Sequence, residues 1–242
     1  MNNHTFYALP LIILCSIFTV QIGSAQTTLD QPALDKVLTK TTQQSLSPQM
    51  VLDRLKEGND RFVNNDMVER DLKEQVKATS ESQYPGAVVL ACIDSRVPVE
   101  SIFDQGIGDI FVARVAGNTV NEEILGSIEY GTAVAGSKLV VIMGHEACGA
   151  VKSSIANAEL SSNVDMLLAR IKPAIQSMDE YEGAKAASNT DFLDKVVHKN
   201  VHLTKKEMLT KSPVLKAMMD EGEIMIVGAY YNLETGKVTF LD

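Results

Sequence analysis

The chain has 242 residues, of which 45% are hydrophobic and 22% are charged. This composition is typical of a globular protein that buries one substantial core, and one main domain is expected. The formal net charge is -9, and the sequence contains no run of five or more Lys or Arg residues. Nucleic acid and anionic membrane surfaces are therefore not expected as partners, because both are bound through clustered positive charge.

The first 25 residues contain no Asp, Glu, Lys or Arg, and residues 11–20 form a nearly unbroken apolar run. Such a run is too short to span a bilayer. Gly23, Ser24 and Ala25 follow it with the small side chains that a signal peptidase requires, so the pattern predicts a signal peptide over residues 1–25, cleaved after Ala25. The mature protein is then expected to be periplasmic or secreted, without stable membrane insertion. An uncleaved membrane anchor is the alternative, because no Lys or Arg precedes the apolar run.

The remaining residues divide into an arm and a domain. Residues 26–46 are rich in Thr, Gln, Ser and Leu without a long apolar period, which predicts an arm or linker with at most a short helix. Residues 47–242 are expected to form the main domain. At its start, Ser47 and Pro48 have the side chains favoured at a helix N-cap and first turn, and the spacing of apolar residues predicts a helix to about residue 64.

The rest of the domain alternates short apolar runs with helical patterns. Strands are predicted at residues 87–92, 109–115 and 138–143, and helices at residues 122–135 and 148–158. A polar, mostly helical segment extends to residue 211, and strands at residues 223–231 and 237–241 are predicted to form a hairpin. This order predicts an α/β fold with a central, mainly parallel β-sheet flanked by helices.

Removal of the signal peptide leaves two cysteines, Cys92 and Cys148. In an oxidising compartment such a pair ordinarily forms a disulfide, which is the simplest alternative to a chemical role. Cys92, however, ends one predicted strand and His145 comes just after another, where open parallel sheets hold their ligands. Cys148 lies three residues after His145 at the start of a predicted helix, whose first-turn amides favour a thiolate.

Two thiolates and one imidazole form a ligand set that zinc accepts in tetrahedral geometry. Three protein ligands leave one coordination position open, which is the arrangement of a catalytic zinc site. Asp94 lies two residues after Cys92, within reach of the metal, and Arg96 lies two residues further on. Arg96 can hold the carboxylate away from the metal through a bidentate ion pair. An ordinary surface ion pair is the alternative for these two residues.

At this point the sequence resembles the β-class carbonic anhydrases, through C-x-D-S-R at residues 92–96 and H-x-x-C-G at residues 145–149. The likeness also includes VPVESIFDQGIGD at residues 97–109, RVAGN at residues 114–118 and SIEYG at residues 127–131. It extends from about residue 47 to the C terminus, so the predicted signal peptide and arm lie outside it.

The resemblance implies a fold, an assembly and a reaction. The fold would be that of a β-carbonic anhydrase with an N-terminal helical arm, assembled as a homodimer or homotetramer with one Zn²⁺ per subunit. The reaction would be the reversible hydration of carbon dioxide to bicarbonate and a proton, by attack of a zinc-bound hydroxide. Two other functions stay open: hydrolysis of carbon disulfide or carbonyl sulfide at the same kind of site, and zinc binding without turnover.

The resemblance also assigns roles to individual residues. The zinc ligands would be Cys92, His145 and Cys148. Asp94 and Arg96 would form a catalytic pair that controls the fourth coordination position, and the Gly149 amide and the Gln83 side chain would bind the substrate. Glu146 departs from the family, in which a small hydroxyl residue often follows the ligand histidine. The chain has no Trp, which disfavours the form of the family that is regulated at a pocket built around a tryptophan.

Overall fold

The computed structural model describes residue 1 and residues 33–241. The predicted signal peptide beyond Met1, and the predicted arm as far as residue 32, lie outside the described residues. Within residues 33–241, none of the helices combines the length and the apolar character that crossing a membrane requires.

The described chain begins with three helices, α1 (Lys40–Ser45), α2 (Pro48–Val63) and α3 (Leu72–Ala78). The predicted start of α2 is confirmed, because the Ser47 hydroxyl accepts a hydrogen bond from the Met50 amide at 3.2 Å. Leu38 and Leu46, on either side of α1, are buried in the core. This part of the chain therefore packs onto the body of the protein.

Within residues 33–241, five strands form one sheet. They are β1 (Ala87–Ala91), β2 (Ile110–Arg114), β3 (Leu139–His145), β4 (Met225–Tyr231) and β5 (Val238–Leu241). The spatial order is β2-β1-β3-β4-β5, and every neighbouring pair is parallel except β4 and β5, which form an antiparallel hairpin. The predicted α/β class, mainly parallel sheet and C-terminal hairpin are confirmed.

Helices connect the strands and cover the sheet. They are α4 (Val99–Ile102), α5 (Glu122–Glu129), α6 (Gly149–Ile155), α7 (Ser162–Ala169), α8 (Lys172–Gln176), α9 (Thr190–Lys211) and α10 (Pro213–Asp220). A 3₁₀ turn at Ala116–Asn118 follows β2, and a π-helical turn at Tyr130–Val134 continues α5. The predicted helix over residues 122–135 thus corresponds to an α-helix that ends in a π-helical turn.

The two faces of the sheet pack against different helices. On one face, Val89 and Val141 share a core cluster with Leu55 of α2. On the other face, Leu90 and Ile142 pack with Val201 of α9. Successive side chains of a strand point to opposite faces, so strands covered on both faces are apolar throughout, as β1 and β3 are.

β3 is longer than predicted and includes His145, which was expected to follow the strand. The reason is pairing with β4, in which Gly144 lies opposite Tyr230 and His145 opposite Tyr231. Gly144 has the appearance of a strand break in the sequence, but it is required for packing. A Cβ atom at this position would lie 2.7 Å from a methyl carbon of Val197 in α9.

Candidate metal centre

The three predicted metal ligands meet at the carboxyl edge of the sheet. Cys92 directly follows β1, His145 is the last residue of β3, and Cys148 is the N-cap of α6. Their ligand atoms, two Sγ and one imidazole nitrogen, all lie within 4.8 Å of one another, and all three residues are buried. Among the described residues, this is the only such group of three potential metal ligands.

The disulfide alternative is wrong. The Sγ atoms of Cys92 and Cys148 are 4.0 Å apart, about twice the length of a disulfide bond, which is roughly 2.05 Å. Both cysteines are free thiols. Their spacing suits two sulfur ligands of one tetrahedral ion, since such ligands do not touch each other.

The orientation of His145 fits metal binding. Its Nδ1 atom lies 2.9 Å from the carbonyl oxygen of Glu146 and donates a hydrogen bond to it. That bond fixes the tautomer and leaves the lone pair of Nε2 facing the two sulfurs. Nε2 is buried and has no hydrogen-bond partner within the described residues. A buried nitrogen without a partner is costly, and a bound cation removes that cost.

The two thiols shift each other's pKa in opposite directions. The pKa of Cys92 is lowered, chiefly by its hydrogen bond with the Cys148 thiol, with a further contribution from the Gly117 amide. The same hydrogen bond and burial raise the pKa of Cys148. A divalent cation favours the thiolate form of both, and the first-turn amides of Ala150 and Val151 act in the same direction on Cys148. The donor set therefore fits zinc.

Two backbone positions with positive φ shape the site. Gly117 has φ 72°, and its amide donates to Cys92 Sγ at 3.4 Å. A Cβ atom at Gly117 would lie 2.6 Å from Ile171 Cδ1, so glycine is required there. Ala147 has φ 52°, a conformation that costs free energy for a residue with a side chain. It forms the tight turn that brings Cys148 back towards His145.

Asp94 and Arg96 form a close ion pair beside the ligands. The Arg96 guanidinium donates to both carboxylate oxygens of Asp94, at 2.9 and 2.7 Å, and the Arg96 amide donates at 3.0 Å. These bonds hold the pKa of the Asp94 carboxyl well below its usual range. Asp94 Oδ2 also lies 3.8 Å from His145 Nε2. The ionised carboxylate is thus next to the metal-facing nitrogen.

Arg114 supports this arrangement, although no individual role was predicted for it. Its guanidinium donates to the carbonyl oxygens of Cys92 and Asp94, at 3.0 and 2.6 Å. These bonds fix the backbone that carries the first ligand and the carboxylate. The available signal was its place in the RVAGN motif, one of the segments that carries the family resemblance.

The two predicted substrate-binding residues lie in different places. Gly149 is the first residue of α6, next to Cys148, so its amide has no acceptor within the helix. Gln83 is exposed and lies before the amino end of β1, where it lines a cavity of about 530 Å³. The five residues of β1 span about 16 Å at roughly 3.3 Å per residue. The structure therefore does not bring Gln83 to the metal ligands of its own chain.

The fold and the site together define a class of protein. It is an α/β protein whose parallel sheet presents two cysteines and one histidine for zinc, beside a carboxylate held by an arginine. A family model described as carbonic anhydrase matches residues 87–238. The chain belongs to the carbonic anhydrase family, and the cofactor of the β-class to which its solved relatives belong is zinc.

Individual relatives agree with the family match. The chain is 34% identical over 193 residues to carbonic anhydrase 2 of Mycobacterium tuberculosis, covering 78% of this chain and 90% of that protein. It is 35% identical over 189 residues to a carbonic anhydrase of Mycolicibacterium smegmatis, covering 76% and 88%. A solved tetrameric β-carbonic anhydrase from Sordaria macrospora has the same fold, with a TM-score of 0.61 at 21% identity over 70% of this chain and 90% of that one.

Proposed function

We propose that the protein catalyses the reversible hydration of carbon dioxide to bicarbonate and a proton. The observation that carries this proposal is the buried group of Cys92, His145 and Cys148, which offers three ligands and leaves a fourth position beside Asp94. Bound zinc supplies Lewis acidity that lowers the pKa of a bound water to about 7, as in the three-histidine carbonic anhydrases. The curated relatives are carbonic anhydrases, so hydrolysis of carbon disulfide or carbonyl sulfide, and zinc binding without turnover, are not favoured.

Asp94 and Arg96 act together in this proposal. Arg96 engages both oxygens of the Asp94 carboxylate, which keeps Asp94 from becoming a fourth protein ligand. Asp94 stays ionised because of the same bonds, so its oxygens can only accept hydrogen bonds. The Asp94 carboxylate would accept a hydrogen bond from the attacking water or hydroxide. This hydrogen bond would direct a lone pair of the attacking oxygen towards carbon dioxide.

In this proposal, the backbone amide of Gly149 binds the substrate. Its amide is free of intrahelical bonds and points from the N terminus of α6, where the unpaired amides attract negative charge. The amide donates to the substrate oxygen on which charge develops as bicarbonate forms.

Replacement of Arg96 tests the function and the pair together. In Arg96→Ala, Asp94 is free to occupy the fourth position, so we expect the rate of carbon dioxide hydration to fall about 10–100-fold. Arg96→Lys keeps the charge without the bidentate geometry and is expected to give an intermediate rate. The measurement is stopped-flow hydration of carbon dioxide by the zinc-loaded protein, with Lys206→Ala as a control that removes an exposed positive charge from α9.

Two results would contradict the proposal at different points. Full activity of Arg96→Ala would show that the ion pair does not control the fourth position. A zinc-loaded wild-type protein that does not hydrate carbon dioxide at alkaline pH would overturn the function itself.

The β2 edge of the sheet supports an assembly of identical chains. Among the described strands, β2 pairs with β1 alone, and beside it Phe111 and Tyr130 line an apolar cavity of about 410 Å³. Tyr130 and Val134 of the adjoining π-helical turn are also exposed. An exposed apolar surface of this kind marks a protein interaction site. Together with the tetrameric relative from Sordaria macrospora, it supports a homodimer or a homotetramer.

In this proposal, the assembly contributes to the reaction through Gln83. It lies at the end of β1 opposite to Cys92, on the same cavity as Tyr130 and Val134. A second copy of the chain that packs on this surface can present its own zinc edge to Gln83. Gln83 then binds the substrate in the site of the neighbouring chain.

Charge placed on this surface tests the assembly. We expect the wild-type protein to run as two or four chains in size-exclusion chromatography with light scattering, and Val134→Lys to run as fewer. Val134 is 70% exposed, so the substitution does not disturb the core. The matched control is Leu160→Lys, because Leu160 is 67% exposed and lies outside the two cavities at the β2 edge. A wild-type protein that is a single chain at micromolar concentration would contradict the assembly.

Export follows from the N-terminal pattern. The apolar run over residues 11–20 and the small residues before Gln26 support removal of a signal peptide and a periplasmic or secreted location. The intact mass of the protein recovered from a cell that exports it is expected to match a chain that begins at Gln26. Ala25→Phe is expected to block cleavage, and Gln26→Ala to leave it unchanged. Recovery of the wild-type protein with Met1 still attached would contradict this prediction.

A further inference from the structure

Glu146 lies between two metal ligands and makes contacts in two directions. Its backbone amide donates to the carbonyl oxygen of Tyr231, at 2.9 Å, where β4 ends. Its carboxylate accepts a hydrogen bond from the Leu233 amide at 3.0 Å, in the turn between β4 and β5. Its carbonyl oxygen accepts the Nδ1 proton of His145. One residue thus joins the ligand histidine to the C-terminal hairpin.

The turn that Glu146 contacts is itself fixed. The buried side chain of Asn59 in α2 donates to the Gly236 carbonyl at 2.9 Å and accepts from the Val238 amide at 2.8 Å. Within the turn, Asn232 accepts a hydrogen bond from the Thr235 amide at 2.7 Å. Leu233 therefore offers its amide to Glu146 from a rigid position.

The hydrogen bond between the Glu146 carboxylate and the Leu233 amide is connected to the metal site through one peptide group. The carbonyl that holds His145 Nδ1 belongs to the peptide between Glu146 and Ala147, and Ala147 has φ 52°. A residue with a side chain keeps such a conformation only where its surroundings impose it. The backbone amide and the carboxylate of Glu146 both tie this residue to the C-terminal hairpin, directly before Ala147.

We propose that Glu146 is a positioning residue for the zinc ligand His145. Its carboxylate fixes the direction of the carbonyl that holds Nδ1, and thereby the direction of the Nε2 lone pair. A small hydroxyl side chain at position 146 is too short to reach the Leu233 amide. This contact therefore requires a longer side chain with an acceptor oxygen. This inference rests on the proposed function only in that the site holds zinc.

Three variants separate the hydrogen bond from the charge. Glu146→Ala removes the acceptor, and we expect the zinc dissociation constant to rise about tenfold. Glu146→Gln keeps an oxygen acceptor without the charge and is expected to stay within about twofold of the wild type, since its affinity depends on the retained hydrogen bond. Glu234→Ala removes an exposed carboxylate from the same turn and serves as the matched control, with unchanged affinity.

The zinc dissociation constant is measured by competition with a chromophoric chelator, and the Co²⁺-loaded protein reports ligand geometry through its visible absorption. For Glu146→Ala we expect a changed Co²⁺ spectrum, and for Glu146→Gln a wild-type spectrum. Circular dichroism of each metal-free variant checks folding. If Glu146→Ala does not fold, Glu146→Ser provides the same test, because the serine hydroxyl can form hydrogen bonds with water.

Two outcomes would overturn the proposal. The first is a Glu146→Ala or Glu146→Ser protein that binds zinc as tightly as the wild type. The second is a Glu146→Gln protein as weak as Glu146→Ala, which would assign the effect to charge. Neither measurement uses carbon dioxide, so a protein that passes both tests and still lacks hydration activity would refute the proposed function and leave this inference standing.

Discussion

The parallel register of β1 and β3 is the constraint on which the metal centre depends. Ala91 lies opposite Met143, so Cys92 and His145 reach the same edge of the sheet. Both strands are buried along their whole length. A slip of one residue would turn every core side chain to the opposite face, so the packing of the core also fixes the position of the ligands. Cys148, 56 positions after Cys92, is brought back by the turn at Ala147.

The site separates the three candidate metal ligands from the carboxylate that lies beside them. Two sulfurs and one imidazole nitrogen lie in the interior, where a bound cation would satisfy the buried Nε2 atom, which has no hydrogen-bond partner among the described residues. Asp94, which has the chemistry of a further ligand, is instead engaged by Arg96. Arg114 fixes the backbone on one side of the site, and Glu146 joins it to the hairpin on the other. Several polar contacts thus fix the positions of the candidate ligands and of the Asp94 carboxylate.

Much of this arrangement could be predicted from local pattern. Continuous apolar runs identify β1 and β3, and the motifs around Cys92 and His145 identify the ligands because their spacing fits zinc. The contacts that align the ligands depend on residues far apart in the chain, and local pattern does not contain them. Glu146 and Leu233, for example, are separated by 87 positions.

The positions of other residues also depend on contacts that local pattern does not contain. Gly144 resembles the end of a strand, but β4 lies beside it and continues the sheet to His145. Gln83 is close to Cys92 in sequence, yet an intervening extended strand carries it to the opposite edge. Leu38 and Leu46 lie in a segment with an arm-like composition, although both pack into the core.

X-ray absorption at the zinc edge tests the central claim most directly, because it counts the sulfur and nitrogen or oxygen atoms around the metal. For the purified protein we expect one zinc per chain, with two sulfurs at about 2.3 Å and two nitrogen or oxygen neighbours at about 2.0–2.1 Å. The lighter pair is His145 and one solvent molecule. A first shell without sulfur, or a zinc-free protein in which Cys92 and Cys148 are bonded to each other, would contradict the account.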